Sequence, residues 1–236
     1  KLQTDLLAVG GIAGICVGIF VLSFAITADN IGIAFVPEVY TGESIDYWIA
    51  NVLANPFLSR FLIALIMIGF GAMFISGFAL FRLLGEHWQK YVALAGYMIG
   101  IPSAIFVFMT RLTMTHQLIV LSSKQPELAK ELKLHLILML QNWHFTAEFV
   151  GPVFIVVIGT SFMAWAAKKE KFLPAWLCYW AFLCGILSIL YFLKFDYPFL
   201  KIAGLGGGPL HMLWFFALGV VLLRRRLGMR DEVESG

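Results

Sequence analysis

Four side chains in an otherwise apolar sequence have the types and positions to do chemistry: Arg111, His144, Glu148 and His211. His144 and Glu148 stand one helical turn apart in QNWHFTAEFVGP, residues 141–152, and helical phase adds Gln141 to the same stripe. Counted at 1.5 Å per residue, Glu148 lies about 30 Å from Lys168, and Arg111 about 31 Å from Lys90. Both therefore reach the outer edge of a hydrocarbon core. Asp29 reaches the same level, and His116 lies one turn beyond Arg111. His211 is thirteen residues before Arg224, about 20 Å, and so falls inside the outer leaflet. Ionisable groups at membrane depth face the bundle interior and pair with one another. The expectation is an outward-opening polar pocket, lined by Arg111, His144, Glu148 and His211 and joined by Asp29 and His116. It would take a small or lipid-like ligand. The plainer alternative has these side chains snorkelling to headgroups, with Arg111 and Glu148 as a structural ion pair.

The stretch AGLGGGPLHML, residues 203–213, is a second unusual element. Its glycines free backbone groups at a depth where irregular backbone is tolerated only inside protein or beside a watery cavity. A broken helix whose positive N-terminus meets Gly206, Gly207, Gly208 and Lys201 would bind an anion. The alternative is a turn at the membrane surface, with the span starting at Pro209. It is not a phosphate loop, because no strand precedes it and no GKS or GKT follows.

Other chemistries fit less well. A haem or metal centre would draw on His144, His211 and Glu148, but no HExxH or repeated His pair supports it. Ser103, Ser161 and Ser188 lie in apolar runs without a neighbouring base, which argues against hydrolysis. The inner halves of the spans carry almost no ionisable residue, which argues against a channel or proton pump. Cys16, Cys178 and Cys184 have no CxxC spacing and read as small buried hydrophobes. Nothing points to nucleic acid.

The elements that must hold these residues are membrane helices. Of 236 residues, 61% are hydrophobic and 13% charged; an ordinary soluble domain has roughly 25% charged residues. Six stretches are long and apolar enough to span: 7–28, 60–81, 91–110, 147–167, 173–193 and 202–223. Ten of the seventeen basic residues fall in short segments on one side, including Arg82, Lys168, Lys169, Lys171 and Arg224–Arg226. The positive-inside rule makes that side cytoplasmic, so both termini are expected there, in the plasma (inner) membrane. No loop is long enough to fold alone, so residues 1–236 are expected to form one polytopic domain.

Small residues let membrane helices approach closely. Gly10, Gly14 and Gly18 form one ridge, Gly96 and Gly100 another, and Gly69, Ser76 and Gly77 a third. These ridges serve packing inside the bundle, or a surface for a partner subunit or a second copy. The first outer loop contains SIDYWIANVL, which predicts an interfacial helix with Ile45, Trp48, Ile49 and Leu53 on one side. PELAKELKLHLILMLQ, residues 126–141, predicts a second outer helix that bends near Asn142, with another kink at Gly151 and Pro152.

The Gly-rich opening AVGGIAGICVGI and the fifth-span entry EKFLPAWLCYWAFLCGILSILYF resemble a family of bacterial six-span membrane proteins known only as a domain of unknown function. The resemblance implies the six-span topology and brings no catalytic residues. The expectation is thus an all-α bundle of six transmembrane helices with one or two outer interfacial helices. It would be a non-enzymatic binder of a small or lipid-like ligand, or an accessory subunit of a larger membrane complex. A haem- or metal-dependent oxidoreductase and a transporter gated at the broken sixth span are the alternatives.

Overall fold

The computed structural model describes residues 2–33, 42–125, 127, 128, 132, 135 and 150–234. Every regular element among them is a helix. In chain order these include α1 (Leu2–Asn30), α2 (Gly42–Ala54), α3 (Pro56–Leu83) and α4 (Trp88–Lys124). A π-helix (Pro152–Thr160) then runs straight into α5 (Ser161–Lys169), followed by α6 (Ala175–Tyr191). Short 3₁₀ turns and one α-turn (Gly204–Gly207) lead to α7 (Pro209–Glu234). Five helices among the described residues are long and apolar enough to cross a membrane: Leu2–Asn30, Pro56–Leu83, Trp88–Lys124, Pro152–Lys169 and Ala175–Lys194. Their outward faces are covered with exposed Ile, Leu, Phe and Met side chains, as a lipid solvent requires. The chain is a multi-pass integral membrane protein.

Close backbone approach builds the centre. Helix α1 packs between α3 and α7. A Cβ placed on Gly14 would stand 2.7 Å from the Phe215 carbonyl oxygen and 3.0 Å from Gly219 Cα, so only glycine fits that crossing. The other two glycine ridges also face inward, with Gly69 against Val21 and Gly96 and Gly100 against the π-helix. The ridges thus serve packing within the bundle. Trp214, fully buried, donates from Nε1 to the Leu177 carbonyl at 2.8 Å and ties α7 to α6.

Helix α1 ends in a Schellman motif. The Ile33 N–H bonds the Ala28 carbonyl at 2.8 Å and the Gly32 N–H bonds that of Asp29 at 2.9 Å. Gly32 takes the left-handed position, φ 70°. Asn51 of α2 donates to the Gly32 carbonyl at 3.3 Å, and Ile45, Trp48 and Val52 bury against the bundle. Leu53 is exposed, so the buried side of α2 is turned toward Val52 from the face expected.

Helix α4 differs from expectation in length. Its 37 residues continue past Arg111 and His116 to Lys124, about 55 Å, well beyond a bilayer core. Nothing in 111–124 stops a helix: the segment holds no Gly or Pro, and intrahelical bonds from Thr110 and Thr113 hydroxyls to carbonyls four residues back accompany it. The outer helix expected over 126–141 and its bend at Asn142 lie mostly outside the described residues.

At the opposite end, the α3–α4 turn is pinned by charge. Lys90, 4% exposed, donates to the Leu84 carbonyl at 3.1 Å and to Glu86 at 3.0 Å. His87 Nε2 reaches Glu170 Oε1 at 3.1 Å and so links this turn to the α5–α6 turn. The Tyr91 hydroxyl and then Lys90 donate to the Glu86 carboxylate and hold it below its ordinary value of 4.5. A depressed carboxyl stabilises the fold above its unfolded-state value and loses that contribution as pH falls through the folded one. Thermal unfolding scanned from about pH 6 to about pH 3 should show a small acid-side loss in the parent chain that is flattened in Glu86→Gln.

Candidate functional site

The polar centre of the bundle is a chain of three side chains from three elements: Tyr97 of α4, Thr160 at the end of the π-helix, and His211 of α7. All three are buried. Thr160 Oγ1 lies 3.0 Å from the Tyr97 hydroxyl, 2.8 Å from His211 Nε2 and 3.0 Å from the Ile155 carbonyl oxygen. The carbonyl can only accept, and a threonine hydroxyl has one proton. The arrangement that accounts for all three contacts has Thr160 donating to Ile155, with Tyr97 and His211 Nε2–H both donating to Thr160. Nδ1 of His211 then carries the lone pair, and among the described residues it has no partner.

Local structure explains why these groups meet. Tyr97 slots between two helices where any side chain would obstruct it: a Cβ on Gly77 would stand 2.7 Å from the ring, and one on Gly159 2.6 Å. The π-helix winds at i→i+5, and the Thr160 and Ser161 hydroxyls both bond carbonyls five residues back. Pro152 sits at its first turn, where a missing N–H is harmless. His211 stacks on Trp214 at an interplanar angle of 12° and meets Phe215 edge-on at 5.1 Å between centroids, which fixes the imidazole plane.

Beside His211 is a cavity of about 70 Å³. Met73 of α3, Ala104 of α4, Pro152 and Ile155 of the π-helix, and Gly207 help line it, so among the described residues its walls are apolar apart from the imidazole. A single water needs about 10–15 Å³, and a cavity near 150 Å³ takes benzene. The space thus admits the end of a molecule or a few waters, not a whole drug-sized ligand.

Arg111, Asp29, His116 and Lys201, also singled out by sequence, are not among the residues that line this cavity. Arg111 is buried, at 6% exposure, and donates from Nη2 to the Ile33 carbonyl, which ties α4 to the end of α1. It lies one turn beyond Val107, a wall residue of the cavity. Asp29 is exposed at the end of α1. His116 is exposed too, with Nδ1 3.2 Å from Arg60 Nη1; a guanidinium only donates, so this nitrogen is the acceptor. His144 and Glu148 lie outside the described residues, and with them two of the three candidate metal or haem ligands. Gly206 is buried against Leu187 and Cys184 of α6, and Gly207 faces Pro152 and Ser188. The chain breaks at Gly208, φ −109° and ψ −113°, and Lys201 is exposed. The structure therefore brings Gly207 and His211 together, and sets Asp29, His116 and Lys201 apart from them.

Sequence reasoning passes over Tyr97 and Thr160. One signal is available: a Tyr and a Thr in apolar runs, each within helical reach of glycines at 96, 100 and 159, where neighbouring backbones come close enough for hydroxyls to meet.

A family model described as "Domain of unknown function (DUF4386)" matches residues 6–225. No curated protein and no solved structure matches the chain.

Proposed function

The chain belongs to this family, whose description assigns no activity, and from the site we propose that the protein binds a small or lipid-like amphiphile whose hydroxyl donates to His211. The observation that carries this reading is the Nδ1 of a fully buried imidazole that has no partner among the described residues and lines an apolar cavity. A buried acceptor left unpaired costs about 1–3 kcal/mol, and a ligand hydroxyl removes that cost. The size of the cavity makes the ligand's polar end the part that enters, with its apolar remainder outside.

In this reading the whole chain is one polytopic domain of six spans in the plasma (inner) membrane, with both termini cytoplasmic. The sixth span needs the broken segment. From Pro209 to Leu223, before the Arg triplet, α7 covers only about 22 Å, and the turns over 198–207 extend it toward the far surface. The basic side chains at the α3–α4 and α5–α6 turns and after α7 support the orientation. Helix α2 caps the outer surface.

The test uses dodecanol and dodecane, a matched pair that differs by one hydroxyl. Thermal unfolding of the purified full chain is followed as each is titrated in mild detergent. Dodecanol should bind about fivefold more tightly than dodecane, the difference made by one hydrogen bond. In His211→Phe the two should bind alike, and Ala104→Leu, which fills the cavity, should bind neither. Equal binding of alcohol and alkane to the parent chain would sink the proposal.

A further inference from the structure

At the end of the bundle that carries the α3–α4 and α5–α6 turns, a shallow groove opens between α5 and α6, lined by Trp165, Lys168, Lys169 and Phe182. Both lysines are exposed. Aromatic rings hold each ammonium in place: Lys168 Nζ lies 4.2 Å from the Tyr179 ring centroid and donates to its hydroxyl at 3.0 Å, and Lys169 Nζ lies 5.4 Å from the Trp165 ring. Trp165 is itself braced edge-on by Trp88 at 5.5 Å. One Lys168 donor is used by Tyr179, so each ammonium keeps protons to give. Glu170, the nearest acid in sequence, turns away to His87. Among the described residues the groove therefore has two positioned cations and no carboxylate in its lining.

Its surroundings say what completes the site. Tyr179, Leu183, Ile186 and Ile189 run along α6 away from the groove and are all about half exposed, forming an apolar track. A phosphate at one end of a hydrocarbon chain matches a pair of ammoniums at one end of an apolar track. We propose that this groove is a binding site for an anionic glycerophospholipid, with its phosphate between Lys168 and Lys169 and an acyl chain along α6. The site is separate from the His211 cavity and does not depend on it.

Native mass spectrometry of the purified full chain tests this, with phosphatidylglycerol, phosphatidylcholine and inorganic phosphate as probes. One phosphatidylglycerol should be retained in preference to phosphatidylcholine. Lys168→Gln with Lys169→Gln should weaken that retention about thirtyfold, the sum for two basic groups at a charged surface. Arg224→Gln, an exposed charge at the same end, should leave it unchanged. An unchanged thermal midpoint for the double variant would show that the loss is not one of folding. Equal retention of the two lipids, an equal loss in Arg224→Gln, or binding of inorganic phosphate with no preference for the lipid would each overturn the site.

Discussion

Gly14→Val should be among the most damaging single changes in the bundle, lowering stability by about 3 kcal/mol or more. A Cβ at position 14 meets the Phe215 carbonyl oxygen at 2.7 Å, and the backbone N and Cα of Gly219 at 3.0 Å. Those atoms belong to the backbone of α7, so no rotamer change relieves the clash. The helices must separate, and overpacking of this kind costs about 1–3 kcal/mol even where the rest of the interface holds. Gly71→Ala is the control, because nothing among the described residues stands within 4 Å of its added methyl; it should change stability by no more than about 0.5 kcal/mol. Thermal or denaturant unfolding in detergent measures both. A Gly14→Val protein as stable as Gly71→Ala would refute the packing argument.

Thr160→Val should cost about 2 kcal/mol although the two side chains have nearly the same shape. The hydroxyl serves two donors, Tyr97 and His211, and valine leaves both buried without this acceptor. A single hydrogen bond between membrane helices is worth about 0.6 kcal/mol on average. Stranded buried donors cost more, about 1–3 kcal/mol. The mechanism shows in a double-mutant cycle. Tyr97→Phe removes one of the stranded donors, so it should be less harmful in the Thr160→Val background than in the parent chain. Strictly additive effects would mean that the three side chains do not act as one network.

The helices are legible in the sequence and the site is not, for physical reasons. A membrane helix announces itself in composition, since some twenty consecutive apolar residues have no other stable use. Arg82, Lys168 and Arg224 mark the ends of such runs in plain sight. Arg111 stands out as a cation at depth, but its bond to the Ile33 carbonyl cannot be read, because backbone acceptors carry no residue-specific signal. His211 is found by its depth, whereas its partner Thr160 looks like any small residue in an apolar run. Thr160 reaches the imidazole because the preceding turns wind at i→i+5, and composition does not distinguish that winding from an α-helix beyond the Gly151–Pro152 pair at its start. The length of α4 escapes for a related reason: the charged and polar residues after position 110 end only the apolar part of the helix, not the helix itself.

The π-helix has a consequence for inheritance. A π-helix spends more residues per turn than an α-helix, so a chain shorter by about one or two residues between Pro152 and Thr160 could wind as ordinary α-helix. Thr160 would still enter α5 in place, but Pro152 and Ile155 would rotate off the wall that they give the cavity. Among relatives, chain length at this point should therefore track whether this wall of the pocket is kept.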